Sequence, residues 1–297
     1  MEEIGVWLWD ALLAVLLHLL QATVMTFLEL FILFGPLLLA TLSSHFISGR
    51  IERRLVQLIG VRGYIVALGW IGTPVHELGH ALMAKLFGHR IDAIKLFSPD
   101  LKKGQLGYVQ HSYNQDNIFQ VVGNFFIALG PVLLGAAVLF LSAWLLLGPG
   151  VFHFPGVASP DLAGFSEIPG EMVVWLGRVG ESLLATLRSL SFGRWQTWLF
   201  IYLLIAIGSH VNLSPADLES ARGGFHVLLT VLFFANVVML LFADVPLQAF
   251  WWPGRYLGHL SSIVMVCAGA MVPLWVLLEL IGAILERPAQ GPRRPRR

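Results

Sequence analysis

The sequence is short of charge and almost without cysteine. Lys, Arg, Asp and Glu make up 12% of its 297 residues, against about a quarter in soluble domains. The single cysteine, Cys267, excludes an internal disulfide and a thiolate metal cluster. Nineteen basic and eighteen acidic residues leave a net charge of +1, so no global field recruits nucleic acid and no nucleic-acid partner is expected. The start, Met1-Glu2-Glu3, lacks the basic n-region of a cleavable signal peptide, and the apolar stretch after it is expected to stay as a membrane segment.

What is present instead is apolar: 57% of the residues are hydrophobic and the mean hydropathy is +0.75. Residues 30–49, 117–160, 195–216, 223–243 and 256–278 contain no Asp, Glu, Lys or Arg. Each run is close to or beyond the roughly 20 residues that cross a bilayer. The pattern predicts an all-α polytopic membrane protein of about six transmembrane helices, with the lipid bilayer as its first partner. A single integral membrane domain over 1–297 divides into an N-terminal helix and polar connection (6–62), a core (63–225), and C-terminal spans with a basic tail (226–297).

Gly35-Pro36 is a natural kink in the first apolar run, and Arg50, Arg53, Arg54 and Arg62 mark a polar connection after it. Residues 89–117 regain charge. Ile91, Ile94, Leu96 and Val109, with Gly104 and Gly107 nearby, predict short strands in a small membrane-associated β-loop. Glu171 to Arg188 read as a mildly amphipathic surface stretch. The run from Trp195 ends near Gly208, where Ser-His-Val-Asn-Leu-Ser-Pro-Ala-Asp intervenes. Polar, Pro-containing backbone at that depth must be buried in protein or line an aqueous cavity. The tail from Arg287 has five arginines, which by the positive-inside bias puts both termini of a six-span protein in the cytoplasm.

The most informative word is His76-Glu77-Leu78-Gly79-His80. Histidines four apart lie on one helix face and can hold one Zn²⁺, while Glu77 between them can take a proton from water held by the metal. Ionisable groups inside a span are costly without a role. Zinc catalysis also needs a third protein ligand and an open position. Asp217 is the favoured candidate, following a truncated helix, with His210 as its rival; an Asp that only caps the next helix is the plain alternative. His111 in the β-loop and Asn124 in the third span are placed to hydrogen-bond an extended peptide or a developing oxyanion.

The His-Glu-Leu-Gly-His word in an apolar span, the Gly130-Pro131 span and the later Asn212-Leu213-Ser214-Pro215-Ala216-Asp217 segment together resemble the site-2 protease family of intramembrane zinc metalloproteases, over roughly residues 64–225. The resemblance implies His76, His80 and Asp217 as ligands of one zinc ion per chain and Glu77 as catalytic base. It also implies 89–117 as the loop that receives an unwound transmembrane helix of a substrate protein, and Asn212 as a further substrate contact. The family often has Asp-Gly-Gly, whereas Asp217 is followed by Leu218-Glu219, as in a divergent branch. The expected activity is zinc-dependent hydrolysis of peptide bonds in or near transmembrane segments. A transporter carrying zinc or protons through the His/Asp site is the alternative, and a scaffold with a closed structural zinc site a third.

Overall fold

The computed structural model describes residues 2–100, 105–149, 168–211, 213–242 and 251–285. Asn212, the tail arginines, Lys102, Lys103 and most of the 148–167 connection lie outside them. The described chain is mainly helical: α1 (Glu2–Tyr64), a π-helical turn (Ile65–Gly69), α2 (Trp70–Leu86), α3 (Ile118–Leu147), α4 (Ile168–Arg188), α5 (Trp195–Gly208), α6 (Pro215–Phe242) and α7 (Trp251–Leu285). One antiparallel pair, β1 (Arg90–Lys95) and β2 (Tyr108–Ser112), accompanies them.

The helix α1 does not stop where polar residues return. The polar connection expected over 43–62 is helical through Ile59, and Pro36 lies inside the helix. Ser44 and Ser48 are buried, and the Ser48 hydroxyl donates to the Gly208 carbonyl at 2.5 Å, serving one of the orphan carbonyls at the end of α5. The break comes at Gly60, whose φ of 73° is open to glycine but strained for other residues. The chain folds back there. Ser48 reaches Gly208 and the Tyr64 hydroxyl lies 3.3 Å from the Ser209 Oγ, although on a straight helix roughly 24 Å would separate the two side chains' anchors.

Among the described residues, four helices are long and apolar enough to cross a membrane: Val6–Leu86, Ile118–Leu147, Pro215–Phe242 and Leu260–Leu285. This differs from the six expected. The run beginning near Tyr64 falls within the first candidate, which the break at Gly60 divides in two, and Trp195–Gly208 has only 14 residues, about 21 Å of helix against a hydrocarbon core of about 30 Å. Large apolar side chains stand exposed along α1 and the later helices, Trp7, Phe27, Leu42, Phe234 and Ile284 among them, as on a lipid-facing surface.

The interior is built from Leu37 and Ile51 of α1, Val132 and Leu139 of α3, Phe200 and Ile207 of α5, and Val264 and Met271 of α7. The amphipathic α4 lays Trp175 and Val179 on α7 beside Val266, and the Trp175 indole donates to Ser262 Oγ at 2.8 Å. The β-loop forms as expected. Arg90 pairs with Ser112 and Lys95 with Tyr108, with a register shift between Ile91 and Ala93.

Candidate metal centre

The close meeting of α2 and α3 positions the site. A Cβ on Gly79 would lie 2.6 Å from the Gly130 backbone, so the two helices touch main chain to main chain and no larger residue fits. That contact carries His80 to the carbonyl of Ile127, which its Nδ1 meets at 2.9 Å. In a regular helix this carbonyl would accept from the N–H four residues on, but residue 131 is proline and has none. Pro131 thus leaves an acceptor open and His80 fills it.

His76 is held in the same way. Its Nδ1 lies 2.7 Å from the carbonyl of His210, in the polar break after α5. A carbonyl only accepts, so each imidazole carries its hydrogen on Nδ1 and turns a bare Nε2 the other way. The two Nε2 atoms face one another at 3.1 Å. Neutral rings so protonated cannot hydrogen-bond to each other there, and a cation between them relieves the opposition of lone pairs. Asp217 completes the group with Oδ1 3.3 Å from His80 Nε2. The ligand atoms of His76, His80 and Asp217 all lie within 4.8 Å of one another.

Asp217 has two tasks because it has two oxygens. Oδ2 accepts from the Ser214 N–H at 2.8 Å, and the Ser214 hydroxyl accepts from the Asp217 N–H at 3.1 Å. This reciprocal pair caps α6. Oδ1 is left to face the histidines. The capping reading and the ligand reading of Asp217 are therefore compatible.

The three side chains open onto a cleft of about 600 Å³ lined also by Glu77, His111, Gly107 and Tyr108. Glu77 is buried, and the β-loop closes over it: a Cβ on Gly107 would lie 2.8 Å from its γ-carbon. His111 reaches the cleft from β2. Burial holds its imidazole below the usual range, and the neighbouring His89 adds to the effect.

The structure does not bring the other sequence candidates to the cleft. Asn124 is buried in α3 with its amide on the Val121 carbonyl, and it is not among the described residues lining the cleft. His210 contributes its carbonyl rather than its ring, which stacks on Tyr64 with centroids 5.1 Å apart while Nδ1 meets the Ala206 carbonyl. Its buried Nε2 has no hydrogen-bond partner.

His89 was not legible as part of this arrangement. It is buried, stacks on Tyr113, and places Nδ1 3.0 Å from the Nδ1 of His111 and Nε2 2.8 Å from the Gln120 carbonyl. A histidine one residue past a helix-ending glycine, paired across the strands, carries no local signal in the sequence.

In comparisons with known proteins, no family model, curated protein or solved structure matches the chain. The likeness to the site-2 protease family rests on the residues quoted for it.

Proposed function

We propose that the protein is an intramembrane metalloendopeptidase, with one Zn²⁺ held by His76, His80 and Asp217. The observation that carries this reading is the convergence of two bare imidazole nitrogens and one carboxylate oxygen in the wall of a cleft that Glu77 also lines. The donors suit zinc: two neutral imidazoles and a single carboxylate leave a fourth position open and offset the charge of the ion. Bound there, the ion supplies Lewis-acid polarisation of a scissile carbonyl and acidifies water.

The chain's own groups do the rest. The Ile127 and His210 carbonyls fix both ring orientations, as outer-shell partners of metal ligands do. Glu77 takes the proton from the attacking water and returns it to the amide nitrogen as the C–N bond breaks. A substrate helix must unwind first, because its carbonyls are otherwise held in internal hydrogen bonds. Residues 105–109 line the cleft, and an unwound segment of a membrane protein laid beside them in extended form gains main-chain hydrogen bonds. A transport site has no use for an acid beside the ligand set that is not itself needed as a ligand, which favours hydrolysis over conduction.

The test is metal analysis of the purified protein together with cleavage of a membrane-embedded reporter. Stoichiometric zinc, with cleavage lost on chelation and restored by zinc, supports the reading. A metal-free protein that cleaves, or a zinc-loaded one that moves ions and cleaves nothing, overturns it.

A further inference from the structure

A second built cluster of polar groups lies between α1 and α7. Arg50, Arg53, Arg54 and Gln57 of α1 and Glu279 of α7 line a cleft of about 280 Å³. Two of the guanidiniums are positioned by their surroundings. Arg54 sends Nε and Nη2 to Glu279 Oε2 at 2.7 and 2.6 Å and Nη1 to Gln57 Oε1 at 3.0 Å. Glu279 is steadied in turn by the Trp275 indole at 3.1 Å. Arg50 lies over the Phe46 ring, 4.9 Å from its centroid, and 6.0 Å from that of Trp275. Among the described residues that line it, three cations stand against one carboxylate. Glu52, on the same stretch of α1, is not among the residues lining the cleft.

The surroundings of this charge are apolar. Leu42 and Phe46 are exposed before it on α1, Ile59 and Val61 after it, and Leu280 and Ile284 stand exposed on α7. Free phosphate needs a cationic cleft but no such rim. A phospholipid uses both: its phosphate accepts hydrogen bonds from guanidiniums, whose forked donors match phosphate oxygens, while its chains lie on Leu42, Phe46 and Leu280. Basic pockets between membrane helices take anionic head groups by this division of labour. We infer that the cleft formed by Arg50, Arg53 and Arg54 between α1 and α7 is a binding site for the phosphate head group of an anionic phospholipid.

The measurement is native mass spectrometry of the full chain released from phosphatidylcholine nanodiscs containing graded amounts of phosphatidylglycerol, with inorganic phosphate as a competitor. The variants are Arg50→Gln and Arg53→Gln, singly and together, which leave the Arg54–Glu279 pair intact; Arg90→Gln on the exposed β1 is the charge-matched control. The wild type is expected to retain phosphatidylglycerol over phosphatidylcholine, each cleft substitution to weaken retention about fivefold, and Arg90→Gln to change nothing. Equal retention of the two lipids, or undiminished retention in the double variant, overturns the site. Displacement of phosphatidylglycerol by millimolar inorganic phosphate makes the site one for free phosphate and overturns the lipid assignment.

Discussion

His80 is oriented by the carbonyl of Ile127, 2.9 Å from its Nδ1, and this acceptor is open because residue 131 is a proline. The relationship joins an odd feature of one helix to the ligand geometry of another. Pro131→Ala returns a backbone N–H to the position that competes for the Ile127 carbonyl. Since it removes a proline from a helix interior, it is not expected to unfold α3. Zinc affinity is expected to fall roughly tenfold, as for other outer-shell partners, with no loss in melting temperature. Competition titration with a chelating dye reads the first and thermal denaturation of the metal-free protein the second. Unchanged affinity would show that the Ile127 contact has no hold on the site.

Glu77 lines the cleft without belonging to the three-residue ligand group. Glu77→Gln should therefore keep zinc and lose activity by roughly 10²–10⁴, the usual worth of a general base. Metal content and cleavage of the reporter are measured on the same preparation. Wild-type cleavage in this variant sinks the mechanism, and loss of zinc makes Glu77 a ligand.

The two oxygens of Asp217 can be separated by mutation. Asp217→Ala should strip zinc and abolish cleavage, whereas Ser214→Ala removes the capping hydroxyl, costs about 1 kcal/mol of stability and leaves zinc in place. His210→Ala keeps the backbone carbonyl that holds His76 and is expected to retain metal. Zinc analysis across the three variants decides it. Zinc lost from His210→Ala but kept by Asp217→Ala would assign the third ligand to His210.

Sidedness is open to a direct measurement. The five-arginine tail favours cytoplasmic termini. In a Cys267→Ser background, cysteines engineered at positions 100 and 292 are expected to be protected from an impermeant external reagent. Labelling of both would reverse the orientation.

The parts of the site legible in the sequence are those written in side-chain identity at short range. His76 and His80 one helical turn apart, and the β-strand formers after Gly88, needed no tertiary information. Asp217 came from the broken helix before it, and the structure places it beside His80. The Gly130-Pro131 pair stood out in the sequence, but its work did not: close approach at Gly79 and a freed carbonyl at Ile127 are backbone facts, invisible until two helices meet. The length of α1 was missed for a related reason. Arg50, Arg53, Arg54 and Arg62 read as a polar connection, yet the helix runs on through most of that stretch, and Ser44 and Ser48 just before it are buried within the fold. The 14 residues of α5 similarly show that an apolar run can be cut short by the polar backbone that supplies the His210 carbonyl.

The pairing of His111 with His89 gives the cleft a pH dependence whose sign can be worked out. The Gln120 carbonyl accepts from His89 Nε2–H at 2.8 Å, so in the neutral ring the His89 Nδ1 is bare and accepts from the Nδ1–H of His111 at 3.0 Å. Burial lowers the pKa of His111, His89 and then His80 push the same way, and Asp92 opposes them. The folded protein thus resists protonating this ring, whereas the unfolded chain takes the proton near the ordinary value of about 6.5. Below that pH the unfolded state binds more protons, so stability rises with pH through this window and is lost as pH falls from about 6.5 toward the depressed folded value. Thermal denaturation of the metal-free protein should show His111 as one contribution to a decline in melting temperature below about pH 6.5. His111→Gln keeps a hydrogen-bonding side chain but has no proton to gain. It is expected to make that decline less steep, while its melting temperature at pH 8 stays close to wild type. A decline of equal steepness in His111→Gln would place the acid sensitivity elsewhere and remove His111 from the account.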